Sequence, residues 1–221
     1  VIHNSADLAA ATVDVWLDNT LLLDNFAFRT ASPFIDAPAG SAFDIRIQGP
    51  TSTDTLNPIA KFTYTLTGGE KYILVANGIV SSTGYSPATA FDILVKSGAK
   101  ESATTPGNVD VLVLHGATDA PAVDVVETGV GAGILVPNAT YGNFYGYLDL
   151  GTADYALSIN AAGTSTTVAT YQAPLQTLGL ADEAFTVLAS GFLSPSSNSN
   201  GPAFGLWVAL AAGGNLVELP L

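Results

Sequence analysis

Phe43-Asp44-Ile45-Arg46-Ile47 alternates large apolar residues with charged ones at every step. Successive side chains of a β-strand point to opposite faces, so this period of two puts Phe43, Ile45 and Ile47 on a core and Asp44 and Arg46 in solvent. Further along, Tyr155, Leu157 and Ile159 alternate in the same way with Ala156 and Ser158. Around both stretches, short apolar runs rich in Val, Ile, Leu, Phe, Tyr and Thr are separated by Gly, Pro, Asn and Asp clusters. That punctuation predicts an all-β sandwich with strands near residues 12–17, 20–24, 32–37, 42–48, 59–66, 71–80 and 90–96, then near 109–114, 122–127, 132–136, 143–149, 153–160, 166–173, 184–192, 203–210 and 215–219. No sustained helical stripe occurs, and only Leu175 to Ala184 could hold one helical turn. Asn77-Gly78 lies inside an apolar run, where a bulge or strand end is as good a reading as a hairpin turn.

The pattern occurs twice. His3-Asn-Ser-Ala-Asp7 ahead of Val13-Asp14-Val15 returns as His115-Gly-Ala-Thr-Asp119 ahead of Val123-Asp124-Val125, and these phrases hold the only two histidines. Tyr72-Ile-Leu-Val-Ala-Asn-Gly-Ile-Val80 returns as Phe185-Thr-Val-Leu-Ala-Ser-Gly-Phe-Leu193, and Phe91 to Val95 returns as Phe204 to Val208. The offset is about 112 residues throughout, far longer than a solenoid period. The expected organisation is two tandem, homologous, antiparallel β-sandwich (Ig-like) domains over 1–97 and 109–221, joined by a small, polar linker over 98–108. The expected first core contains Ile2, Val15, Ile45, Ile47, Leu74 and Ile93; the second contains Val113, Val125, Leu157, Ile159, Val187 and Leu206.

A formal net charge of −13 leaves no basic stripe to neutralise phosphates, which argues against a nucleic-acid partner. Charged residues make up only 11% of this acidic chain, so its polar surface has to come mainly from Ser, Thr, Asn and backbone. Cysteine is absent, which removes disulfides, thiolate nucleophiles and sulfur-ligated metals. The longest apolar run, Ala203 to Ala212, is too short to span a bilayer, so no membrane insertion is expected. Methionine is absent even at position 1, which suggests processing of a signal sequence and a secreted or cell-surface location.

His115-Gly-Ala-Thr-Asp119-Ala-Pro121-Ala-Val123-Asp124-Val125 resembles the opening signature of the DUF4397 family of bacterial and archaeal extracellular domains. The phrase from His3 to Val15 is similar, with two extra residues and no proline, and Ala31-Ser-Pro-Phe34 and Pro38-Ala-Gly40 resemble the stretch that follows it. The resemblance implies secreted or surface-exposed β-sandwich modules, often in tandem, with no catalytic activity attached to the family.

His3, Asp7 and Asp14, with His115, Asp119 and Asp124, form the one constellation that could be read as a site. A metal centre needs three or more converging ligands, and strand alternation sends Asp124 away from Val123 and Val125. The expectation is therefore a structural signature: each Asp accepts backbone N–H groups in a turn and each His bonds a loop. No metal, cofactor or catalytic residue is assigned. Gly129-Val-Gly131-Ala-Gly133 precedes a strand rather than the helix of a phosphate loop, and reads as a glycine-rich hairpin. Tyr141, Tyr145 and Tyr147 would share one strand face, opposite Phe144, and are the candidate platform for a sugar. Thr55, in Asp54-Thr55-Leu56, and Asn138, in Asn138-Ala-Thr140, are candidate glycosylation positions. The chain is thus expected to be no enzyme but a module for adhesion, spacing or assembly. Its partners would be an extracellular protein, a glycan or further copies of itself; the alternatives are a carbohydrate-binding module and a self-assembling fibre subunit.

Overall fold

Eighteen strands emerge from this pattern in a computed structural model that describes residues 1–221. In the first half they are β1 (Ile2–His3), β2 (Thr12–Leu17), β3 (Thr20–Ala27), β4 (Thr30–Ala31), β5 (Ala42–Gln48), β6 (Ala60–Thr65), β7 (Tyr72–Asn77) and β8 (Asp92–Ser97). In the second they are β9 (Asn108–His115), β10 (Val123–Glu127), β11 (Gly133–Ala139), β12 (Phe144–Gly151), β13 (Asp154–Ala161), β14 (Thr167–Pro174), β15 (Ala184–Ser190), β16 (Gly205–Leu210), β17 (Gly214–Asn215) and β18 (Val217–Glu218). The only helical elements are 3-10 turns at Leu8–Ala10 and Pro195–Ser197. The turn expected after Leu175 closes with Leu178 N–H donating to the Pro174 carbonyl.

Each half builds two sheets with the same strand order. The first half has β3-β2-β5-β6 and β4-β1-β7-β8; the second has β11-β10-β13-β14 and β12-β9-β15-β16. Even the single parallel pair is repeated, as β1 beside β7 and β9 beside β15, while the other strand pairs are antiparallel. Two all-β sandwiches therefore stand where alternation placed them.

The four sheets stack as layers. Val13, Val15, Phe43, Ile45 and Ile47 meet Ile93 and Leu74 inside the first sandwich. Val109, Val111, Leu157, Ile159, Val187 and Leu206 fill the second. A third cluster lies between the sandwiches, where Ile2, Ala31 and Val75 of one sheet pack on Leu114, Leu188 and Ala209 of the other. Leu114 and Leu188 are fully buried there, and each such side chain contributes about 1.5–3 kcal/mol by leaving water. Ile2, expected in the first core, belongs to this seam.

One further departure is local, and one open reading resolves. The expected strand at 32–37 does not form, although Ser32 N–H donates to the Val1 carbonyl at 2.8 Å. Asn77-Gly78 is a strand end rather than a hairpin: Gly78 has φ +88°, and an added Cβ would run into the Ala90 carbonyl group. Gly191 repeats this with φ +88° against Ala203.

The connector after β8 is tied down. Lys100 N–H donates to the Tyr147 hydroxyl at 3.0 Å, and its Nζ pairs with buried Asp110 at 2.9 Å. The end of the chain also crosses over. β17 pairs antiparallel with β4, so the first sandwich's inner sheet carries a fifth strand supplied by the second half.

Candidate functional site

Asp7 caps the 3-10 turn at Leu8–Ala10, accepting from the Ala9 N–H at 2.9 Å. The same carboxylate accepts from Val80 N–H at 2.8 Å, Ser81 N–H at 2.7 Å and Ser81 Oγ at 2.8 Å. Burial by itself would raise its pKa, but these donors outweigh that cost and hold the carboxyl below the usual range. Asp119 does the same work in the second sandwich. It accepts from Leu193 N–H and Ser194 N–H, both at 2.8 Å, and from Asn198 Nδ2 at 3.1 Å. In each copy, then, an aspartate from the loop after the first strand fastens the loop that follows the seventh.

The histidines have an equally local task. His3 is fully buried, and its Nε2 lies 2.7 Å from the Ala10 carbonyl oxygen, which can only accept, so this nitrogen carries the proton. Burial pushes its pKa down to about 4, against a smaller opposing pull from the Ala10 carbonyl. His115 Nε2 makes the matching bond to the Pro121 carbonyl at 3.0 Å. Asp14 and Asp124 complete the pattern. Both point to the outer face, as alternation requires, yet both are buried beneath loops. Asp14 accepts from Asn25 N–H at 2.8 Å and Ser52 N–H at 2.6 Å, and Asp124 from Asn138 N–H at 2.6 Å and Gly163 N–H at 2.9 Å. All six signature residues thus bind the chain's own backbone, copy for copy.

A family comparison covers all six of these residues. The model described as "Domain of unknown function (DUF4397)" matches residues 1–126, more than half of the chain. The chain belongs to the DUF4397 family. No curated protein and no solved structure matches it.

In this DUF4397 chain the three tyrosines do not form one platform. β12 carries a bulge between Tyr145 and Leu148, where Gly146 has φ +91°. The extra residue reverses the alternation, so Tyr145 lies opposite Val113, on the side of the second core, while Tyr147 comes to the seam side. All three rings are only half-exposed, and each hydroxyl is engaged. Tyr141 accepts from Asn77 Nδ2 at 3.3 Å, Tyr145 from Thr140 N–H at 2.8 Å and Tyr147 from Lys100 N–H.

Asn138 is exposed at φ +48°, and Thr140 of its sequon lies 3.2 Å from the Tyr145 hydroxyl. Thr55 is half-buried, with its hydroxyl 3.4 Å from Asn19 Oδ1. The glycine run 129–133 forms a hairpin around a residue that sequence reasoning passed over. Buried Glu127 accepts from the N–H groups of Gly129, Val130 and Ala132, and these bonds hold its carboxyl below the usual range although burial pulls the other way.

The polar groups of the seam were also missed. Arg29 donates to Ser190 Oγ at 3.1 Å and to the Ala203 carbonyl at 2.7 Å, and its guanidinium lies 4.0 Å from the centre of the Trp207 ring. Asn4 donates to Asn77 Oδ1 and reaches the Ala189 carbonyl across the seam. An added Cβ at Gly116, the counterpart of Asn4, would collide with the Asn4 amide. The signal was present: Arg29 is one of only 6 basic residues and directly follows Phe26-Ala27-Phe28.

Proposed function

We propose that the chain is a non-enzymatic, exported β-sandwich module that acts in adhesion, as a spacer or as a structural subunit at or beyond the cell surface. On this reading its second half is a further copy of the family domain, in tandem with the first. The observation that carries the proposal is the seam, where apolar packing, the Arg29 clamp and the exchanged strand β17 join two sandwiches into one body. Such a body suits load-bearing or spacing better than independent movement of two beads on a linker. The shared strand order supports the tandem reading. The signature residues support the non-enzymatic one, since their bonds go to backbone and neighbouring loops. The platform that sugar binding through Tyr141, Tyr145 and Tyr147 would need is divided between two faces by the bulge.

Single-molecule pulling between the chain ends tests the mechanical half of the proposal. One unfolding step of about 75 nm, at roughly 3.4 Å per residue, is expected. Two steps of half that size would mean that the sandwiches act singly and would remove the rigid-spacer reading. Turnover of an ester, amide or glycoside that vanishes in His115→Ala would overturn the non-enzymatic reading.

A further inference from the structure

The two sandwiches fill matching positions with different residues, and one difference takes a ring out of the second core. In the first sandwich Val13 of β2 stands opposite Phe26 of β3; in the second, Val123 of β10 stands opposite Ala139 of β11. Phe26 and Ala139 are therefore counterparts, and both are buried. The Phe26 ring belongs to the first core, with its centre 5.8 Å from that of the His3 ring. Ala139 has no ring to put there.

The second core is hollow instead. A cavity of about 80 Å³ is lined by Ala139, Val123, Val136, Ile159 and His115 among other core residues. At about 10–15 Å³ for each water-sized sphere it holds roughly five to eight heavy atoms, a range that includes the six-carbon ring missing at Ala139. Val113 and Val125 line it too, and they are only half-buried although both face the core, as residues around a hollow are. The second copy has a smaller residue at one further position, Ala173 for Tyr64. Beside Ala173, however, Gln172 N–H donates to the Pro220 carbonyl, and the segment after β18 brings buried Leu219 into the core, which offsets the loss on that side.

His115 is the one residue of the lining that is not hydrophobic, and it is only 3% exposed. Its imidazole keeps the pose of His3: it stands edge-on to Tyr141 at 81°, as His3 does to Phe28 at 84°, and its Nε2 donates to a loop carbonyl in the same way. With the proton on Nε2, Nδ1 of each ring is an acceptor. In the first sandwich Ser5 N–H donates to it at 3.4 Å; in the second, the buried Nδ1 has no donor. An orphaned acceptor is costly to bury. Water is a poor remedy, because an ordered water needs about 2–4 polar partners and this lining is otherwise apolar. Tyr155, also in the lining, spends its hydroxyl on the Gly151 carbonyl.

We infer that this hollow is a binding site for a small, uncharged phenol. The ligand's ring takes the place that the Phe26 ring takes in the first sandwich, and its hydroxyl donates to His115 Nδ1. An ionised ring compound is ruled out, because the lining holds no carboxylate, lysine or arginine to pair with its charge. The first sandwich has no such site, since Phe26 occupies the place and Ser5 serves the histidine. The inference rests on the repeated strand pairing and holds whether or not the adhesion and spacer reading does.

The test titrates phenol into the 221-residue chain and follows its methyl resonances by NMR. Saturable shifts are expected at Ala139, Val123 and Val136, with nuclear Overhauser contacts from the phenol ring to the same methyls. Benzene is expected to bind about tenfold more weakly, because it leaves Nδ1 unpaired. Ala139→Phe fills the hollow from within and is expected to raise the unfolding midpoint while weakening phenol binding at least about tenfold. The inference is overturned if the unsubstituted chain shows no saturable shift, if the ring contacts lie at other methyls, or if folded Ala139→Phe binds phenol undiminished. Benzene binding as tightly as phenol would also overturn it. Should Ala139→Phe fail to fold, the ring contacts in the unsubstituted chain decide the matter.

Discussion

Asp7 collects four donors from two loops that are far apart in sequence, and it does so while almost wholly buried. Removing the carboxylate leaves three backbone N–H groups without an acceptor, each of them costly to bury unpaired. Asp7→Ala is therefore expected to destabilise the chain by about 2–4 kcal/mol, read as a lower urea midpoint at unchanged slope; an unchanged midpoint would show that the loop after β7 is held by other contacts. His3 adds a pH dependence with a definite sign. Its folded pKa of about 4 lies below the unfolded value of 6.5, so the unfolded chain takes up a proton that the folded chain refuses. Stability is complete above pH ~6.5 and declines as pH falls toward ~4, by at most about 1.4 kcal/mol per unit. Below that, Asp7, Asp14 and Glu127 act in the same direction, because each has a lowered folded pKa and loses its stabilising charge on protonation. Urea midpoints measured from pH 7.5 to 4.5 check this, and His3→Gln is expected to flatten the upper part of the curve.

At the scale of the strand, one glycine decides where the tyrosines of β12 go. Gly146 has φ +91°, and an added Cβ would lie 2.7 Å from Leu148 N and 2.8 Å from the Val111 carbonyl oxygen. Gly146→Ala is expected to cost about 1–3 kcal/mol, through the strained backbone and the disturbed pairing with β9; chemical denaturation measures it, and a neutral result would mean that the bulge can move along the strand. This glycine also marks a limit of reading by alternation. A period of two gave the faces of β5 and β13 correctly because β5 pairs regularly and the one register shift along β13 comes after Ile159, past its core residues. It misplaced Tyr145 relative to Tyr147 because a bulge shifts parity by one residue and leaves little trace except the glycine itself. β1 escaped notice for a different reason, since two residues cannot display a period. The seam was legible in principle. β15 reads Ala-Phe-Thr-Val-Leu-Ala-Ser, almost continuously apolar, and six of its seven residues are buried. Such a run marks a strand covered on both faces, and one sandwich alone covers only one.

The whole molecule is held by that double cover. Arg29 is its main polar tie, with three hydrogen bonds to the second half and a stacked Trp207. The chain is expected to unfold in a single transition, seen at the same midpoint by tryptophan fluorescence and by far-ultraviolet dichroism. Arg29→Ala is expected to lower that midpoint by several degrees, about 2–4 °C for each kcal/mol lost. Two resolved transitions in the unsubstituted chain would show that the seam couples the halves only weakly. Gly213 tests the exchanged strand. An added Cβ there would lie 2.5 Å from Pro33 N, so Gly213→Val should dislodge β17 and expose the Thr30–Ala31 edge to faster hydrogen exchange.

β17 also sets an order of events. Its partner β4 is made more than 180 residues before it, so the first sheet waits for Gly214–Asn215 before that edge is closed. A ribosome or an export channel delivering this chain from its N-terminus releases the early sandwich with one edge open. Gly214–Asn215 acts as the latch, and a nascent chain stalled just short of it would display that edge to whatever strand came near.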